Sequence, residues 1–202
     1  MTATTIKDNA KELQNSLSVP ANRRLLSSYS FIKYTVQVPM FVSKNDWISL
    51  TLLEIAKEVK VLCISLREFC TEMSCPRMSA GFFVDYNWIG DEGIAEKVSA
   101  PVYMQKLSSW AIQVLRNPKV FPFLSSCQYP ESFLGEVTTV FRRLFRVYAH
   151  VYLEHFGKFT ASGASTSLNT SFIHAYVFGK HFDLLTEYDV APVMLIVDAL
   201  LS

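Results

Sequence analysis

Glycine is scarce in this chain. There are seven in 202 residues, and none falls in the G-x-G-x-x-G or Walker spacing whose backbone amides cradle nucleotide phosphates. No nucleophile–base pair can be picked out either, so catalysis is not expected. Charge is thin: 18% of residues are charged and the net charge is +1, which gives no global field for holding a nucleic acid. Long apolar runs are missing. The stretch Val190-Ala191-Pro192-Val193-Met194-Leu195-Ile196-Val197 falls far below the ~20 residues that span a bilayer. Met1 to Ser18 is polar, without the apolar segment of a signal peptide. A soluble intracellular protein with no membrane span is expected. Four cysteines, Cys63, Cys70, Cys75 and Cys127, point in that setting to metal binding or plain burial rather than to disulfides.

What is present is a core. Half of the residues are apolar and 13% are aromatic, enough for one domain. Residues 1–30 are polar and predict a mobile arm with a short helix near Lys7 to Ser16, leaving 31–202 as the folded domain. A long helix is predicted from Ser43 to about Phe69. Ser43 and Asp46 offer capping groups, and Ile48, Leu52, Ile55, Val59, Leu62, Leu66 and Phe69 recur at steps of three and four. Pro76, Gly81, Gly90 and Gly93 mark a loop with a short hairpin. A second helix starts at Ser99 with Pro101 in its first turn, buries Tyr103, Leu107, Trp110, Val114 and Leu115, and stops before Pro118. A third runs from Pro130-Glu131, carrying Leu134, Val137, Phe141, Leu144, Phe145, Tyr148, Val151 and Tyr152 to a cap at Gly157. Two more are read over about Asn169–His181 and from Asp189. Strand-like alternation is almost absent, so the fold class is mainly α, a single-domain helical bundle.

Cys70 and Cys75 flank four residues, as do His150 and His155. Thiolates and imidazoles are the ligands of a borderline-soft ion such as zinc. The bland readings are buried cysteines and histidines that complement a helix dipole. Residues five apart on an ideal helix also lie about 140° around the axis, so one ion can take both histidines only where the helix end loosens. On spacing alone zinc and the bland readings both stand. Two local charge imbalances accompany the cluster. Arg142, Arg143 and Arg146 give residues 137–153 a charge of +3, and Asp183, Glu187, Asp189 and Asp198 give 181–202 a charge of −4.

Three blocks carry a family likeness. They are Phe69-Cys70-Thr71-Glu72-Met73-Ser74-Cys75-Pro76-Arg77-Met78-Ser79-Ala80-Gly81, Arg143-Leu144-Phe145-Arg146-Val147-Tyr148-Ala149-His150-Val151-Tyr152, and Leu168-Asn169-Thr170-Ser171-Phe172 followed by His174. They strongly resemble the Mob (Mob kinase activator) family over about residues 40–200, in order and without large insertions. The branch that activates NDR and LATS kinases is the most similar. The resemblance implies a helical bundle stapled by one structural zinc on Cys70, Cys75, His150 and His155. It implies no catalytic activity, and a location in the cytoplasm extending to the nucleus, spindle pole or division site. It also implies an adaptor that binds the N-terminal regulatory segment of an NDR/LATS-type AGC kinase and docks phosphorylated segments of upstream kinases. The alternatives are a phocein-like scaffold subunit of a phosphatase–kinase assembly, against which the full ligand set and the arginines argue, and a zinc enzyme. An enzyme would need an open coordination position.

The resemblance assigns Arg142, Arg143 and Arg146 to phosphate docking. The loop Gly90-Asp91-Glu92-Gly93-Ile94-Ala95-Glu96-Lys97 is acidic where relatives carry lysines, so weak docking is expected. It assigns Asp46, Trp47, Glu58, Val61, Leu62 and His174 to the kinase-binding face. Val42-Ser43-Lys44-Asn45-Asp46 holds less acid than relatives place there, which should slow capture of a basic segment. Periodicity alone makes Leu62 core and Trp47 a packing anchor. Cys63 and Cys127 are expected in the core or a loop, without function.

Overall fold

The computed structural model of the chain describes residues 3–82, 84–90, 92–122 and 128–202, with residues 3–10 described by backbone alone. Its helices are α1 (Ala3–Ser18), α2 (Tyr29–Thr35), α3 (Lys44–Ser65), α4 (Ala100–Leu115), α5 (Phe133–His150), α6 (Phe156–Ala161), α7 (Ser165–His181), α8 (Glu187–Val190) and α9 (Met194–Leu201). Two short strands, β1 (Trp88–Ile89) and β2 (Ala95–Glu96), form the expected hairpin, with Trp88 opposite Glu96 and Ile89 opposite Ala95. The fold is mainly α. No described helix is long and apolar enough to cross a membrane.

α5 is the axis of the bundle, with α3, α4, α7 and α8 packed around it. Val137, Val140, Phe141, Leu144, Phe145, Val147 and Tyr148 are buried along it. Aromatic rings knit α5 to α7: Phe145 and Phe172 stack at 5.7 Å, and Phe141 meets Phe178 at 5.6 Å. Such pairs add to the stabilisation that burial of their area already gives. Leu134, read from the sequence among the apolar positions, is instead half exposed, because Phe133 takes the covered side of the first turn, against Phe121 and Tyr129.

α3 begins as its sequence dictates. The Ser43 Oγ accepts from the Asp46 N–H at 3.1 Å, satisfying one of the helix's open donors. Asp46 does not complete a capping box; its carboxylate accepts from the Tyr129 O–H at 2.7 Å. Hydrogen bonding from Ser43 and then Tyr129 holds Asp46 below the ordinary carboxylate value. Ile48, Leu52, Ile55, Val59 and Leu62 form the buried stripe. The helix closes at Ser65 rather than Phe69, as the Arg67 and Phe69 N–H groups bond to carbonyls three residues back.

The third predicted helix divides. After His150 the chain widens into one π-helical turn, Val151–His155, before α6. Gly157 therefore lies inside α6 rather than at a cap. A Cβ there would meet only the carboxylate end of the Glu12 side chain of α1, which is free to turn aside. The cap glycine is Gly163, with φ +73°. The last helix starts at Glu187, two residues before the expected Asp189. Its cap is a reciprocal box between Thr186 and Asp189, and a 3-10 turn holding Pro192 separates α8 from α9.

The segment expected as an arm carries α1, which is longer than the predicted short helix and lies against the π turn and α6. Leu13, Leu17 and Leu25 pack on the core. One buried side chain fixes the segment after α1. Asn169 donates to the carbonyls of Asn22 (2.8 Å) and Arg24 (3.1 Å) and accepts from the Tyr152 O–H (2.8 Å). Leaving buried partners unmade costs about 1–3 kcal/mol each. Asn169→Ala should therefore lower unfolding free energy by about that amount in urea titration, and amide exchange around Asn22 to Leu26 should speed up. Unchanged exchange there would show that Asn169 does not hold the segment.

Candidate metal centre and docking surfaces

The stretch after α3 is wound so that two thiols face one point. The Cys70 N–H reaches Leu66 O at 2.8 Å and the Cys75 N–H reaches Thr71 O at 2.8 Å. Between them Thr71 and Ser74 hold each other: the Thr71 N–H donates to Ser74 Oγ (2.9 Å) and the Ser74 N–H to Thr71 Oγ1 (3.1 Å). Ser74 Oγ also donates to Phe69 O at 2.7 Å. The loop is thereby closed on itself without help from a ligand.

The histidines come from the opposite side. His150 ends α5 and His155 ends the π turn. A π turn closes with i→i+5 bonds, so residues five apart come to lie one above the other, and the 140° separation of an ideal α-helix is removed. The two rings are 5.1 Å apart. Cys70 Sγ lies 3.5 Å from His150 Nε2, and Cys75 Sγ lies 3.3 Å from His155 Nε2. The four donor atoms lie within 4.8 Å of one another, and all four residues are buried. The His150 Nδ1–H donates to the Ser79 carbonyl at 2.8 Å, which fixes the tautomer and aims the Nε2 lone pair inward, the usual support of a metal-bound imidazole. Phe69 sets its ring edge-on to His155 at 5.4 Å.

The chemistry of the set matches a cation. Hydrogen bonding to Cys75, together with burial, pushes the Cys70 thiol up, and the same bond draws Cys75 down. The pair readily keeps one proton between them, and a divalent ion in its place would let both sulfurs ionise. These four residues can hold a metal ion. Four protein donors are the number that a tetrahedral ion takes.

The arginines are brought to one face of α5, each with partners of its own. Arg142 Nε pairs with Asp189 at 3.2 Å and donates to Leu184 O at 3.0 Å. The guanidinium of Arg143 lies over the indoles of Trp88 (4.7 Å) and Trp110 (4.2 Å) and donates to Ile89 O at 2.9 Å. Arg146 donates to the Tyr103 O–H oxygen at 3.1 Å and sits over the Tyr86 ring. Among the loop acids, Glu96 is paired with Lys106 and Glu92 is exposed, while Asp91 lies outside the described residues.

Four of the six positions assigned to kinase binding line one groove of about 490 Å³ between α2, α3 and α7: Glu58, Val61, Leu62 and His174, joined by Phe31. Val61 is exposed and Leu62 is buried, so Leu62 is core that also floors the groove. Glu58 accepts from the Ser171 O–H at 2.6 Å. Burial holds His174 below its ordinary value, against the pull of Glu58 and Glu54. Asp46 and Trp47 lie outside that groove, at the start of α3; the Trp47 Nε1–H donates to Val36 O at 3.0 Å, as a packing anchor does. Cys63 is half-buried, and Cys127 lies outside the described residues.

A model of the Mob1/phocein family matches residues 23–193. The chain belongs to the Mob1/phocein family. It is 34% identical over 171 residues to the MOB kinase activator-like 1 homolog B of Dictyostelium discoideum, covering 84% of this chain and 79% of the relative. It is 34% identical to the maintenance of ploidy protein mob1 of Schizosaccharomyces pombe, over 82% of this chain and 80% of that one. The MOB kinase activator-like 1A of Arabidopsis thaliana is 33% identical, over 85% and 80%.

The matched span of this Mob chain takes in all four residues of the Cys–His cluster, the arginines and the groove. Several contributors had no signal in the sequence. The Ser79 carbonyl that orients His150 is a backbone atom, and any residue could supply it. The partners of the arginines, Asp189, Trp88 and Trp110, are distant along the chain. If the cluster holds an ion, purified protein should contain one divalent metal per chain. Cys70→Ser or His155→Ala should then cost several kcal/mol, since metal binding is coupled to folding. Elemental analysis without metal, or a variant that melts like the parent, would contradict the assignment.

Proposed function

We propose that this chain is a non-catalytic co-activator of a protein kinase, acting in the cytoplasm, where thiols stay reduced. Its groove between α2, α3 and α7 would receive the N-terminal regulatory segment of an NDR/LATS-type kinase. The observation that carries this reading is the convergence of Glu58, Val61, Leu62 and His174 on one wall-and-floor surface, in a chain whose relatives are named kinase activators. A helix laid in such a groove gains apolar contact from Val61 and Phe31, while Glu58 offers the negative charge that a basic segment needs.

We read the ion as zinc. Two thiolates and two imidazoles suit its borderline softness and tetrahedral preference. When bound, it would supply no Lewis-acid chemistry and would act as a cross-link. Cys70 and Cys75 would tether the loop after α3, and His150 and His155 would anchor that loop to the end of α5. The absence of an open coordination position supports a non-enzymatic reading.

Docking of phosphorylated segments at Arg142, Arg143 and Arg146 is the second part of the proposal, and it is expected to be weak. Each charge-assisted hydrogen bond to phosphate contributes about 1.5–3 kcal/mol, but Arg142 must first release Asp189. Arg143 is preorganised between two indoles and Arg146 by Tyr103, so these two would supply most of the affinity.

Titration of the recombinant kinase segment tests the first part. Val61→Asp should weaken binding at least tenfold while leaving the fold intact, and a segment that does not bind the unaltered chain would refute the reading. For the second part, a phosphothreonine peptide should bind more tightly than its unphosphorylated twin. Arg146→Ala should abolish most of that difference, and Asp189→Asn, which keeps the cap on α8, should enlarge it. Equal affinity for the two peptides would mean that the arginines serve only the fold.

A further inference from the structure

A further groove belongs to neither surface above. It runs between α3 and α4, on the flank of α3 opposite the proposed kinase groove. One half, about 580 Å³, is floored by Leu53, Ala56, Leu107, Ala111 and Leu115. The other, about 550 Å³, continues past Ile64 and Met104 to Cys70 and Pro101. Lys60, Ser108 and Ile112 line both halves, so the groove is continuous. It follows α3 from Leu53 to Ile64, roughly 17 Å at the rise of a helix, and then the turn that leads to Cys70.

Its rims are regular and carry one sign of charge. One lip is formed by Lys57, Lys60 and Ile64, three and four residues apart on one stripe of α3, and by Arg67 in the turn just after the helix. On α4 Arg116 stands at the far end. No carboxylate lines either half, and these four cations make no ion pair with the described residues. Ile64 is 49% exposed and Ile112 is 39% exposed, so each lip also presents a large apolar side chain to whatever lies between them.

We propose that the α3–α4 groove is a second docking site, and that its occupant is an acidic amphipathic helix of a partner protein. The floor takes the apolar stripe of such a helix, as helix-in-groove recognition requires. Carboxylates flanking that stripe meet Lys57, Lys60, Arg67 and Arg116. The same charges exclude a basic segment, so the kinase segment proposed above does not compete for it. Glu58, Val61 and Ser65 face the first groove while Lys57, Lys60 and Ile64 face the second. α3 is thus a shared wall, and both occupants can be held at once.

The probe is a synthetic 18-residue helix with leucines at steps of three and four flanked by glutamates, titrated into the full metal-loaded chain beside a version with lysines for the glutamates. The glutamate helix should bind at least tenfold more tightly, shifting amide resonances of Leu53 to Arg67 and Gln105 to Arg116, and its affinity should fall as salt is raised. Lys60→Glu with Arg67→Glu should cost it at least tenfold without lowering the melting temperature, whereas Val61→Asp should leave it unchanged and weaken only the kinase segment. Equal affinity for the two helices, no binding, or shifts mapping elsewhere would overturn the proposal. So would phosphatidylserine vesicles recruiting the chain through the same lysines, which would make the groove a lipid-facing surface.

Discussion

The rest of the molecule hangs on one local departure from α-helical geometry, the wide turn between His150 and His155. Without it the two imidazoles point to different sides of one helix, and the thiols of the preceding loop have one partner instead of two. With it, four donors meet in a buried space, and the loop after α3 is fastened to the end of α5. A π turn is less favourable than continued α-helix. It persists here because the cluster, the Tyr152–Asn169 hydrogen bond and the packing of α1 all act on the same five residues.

That fastening has consequences at a distance. The backbone of Cys75 accepts from the first N–H of α4, so the loop that carries the thiols also sets where α4 starts. α4 in turn brings Trp110 and Tyr103 to α5, where Arg143 and Arg146 rest on them. The arginine face, the groove between α3 and α4 and the metal cluster are therefore parts of one arrangement. The three arginine charges of α5 are offset inside the chain, by an ion pair to α8 and by aromatic faces, rather than left wholly to solvent. Cation–π contacts of this kind contribute most when desolvated, which suits guanidiniums that are only half exposed.

Much of this was legible in the residues. The Ser43 cap, the buried stripe of α3, the proline start of α4 and the hairpin all arise from local chemistry, and all lie where that chemistry puts them. The four residues of the Cys–His cluster were legible as residue types at suggestive spacings. What the sequence could not carry were events fixed by neighbours distant along the chain. The third helix read as unbroken because Val151 and Tyr152 continue its apolar period, and nothing local announces a π turn. Gly157 looked like a cap because glycine usually is one there, but the chain caps later, at Gly163, where φ is positive. The arginines read only as a local charge of +3, and their partners Asp189 and Trp88 gave no signal because they lie tens of residues away. The apolar period also gave no warning that Phe133 rather than Leu134 takes the covered side of the first turn of α5.

The central claim is that Cys70, Cys75, His150 and His155 share one ion in a closed site, and X-ray absorption at the metal edge of the purified protein tests it most directly. A zinc edge with two sulfur scatterers near 2.3 Å, two nitrogen scatterers at about 2.0–2.1 Å and no coordinated oxygen is the expected result. Coordination dominated by oxygen, or a zinc spectrum unchanged in Cys75→Ser, would contradict it.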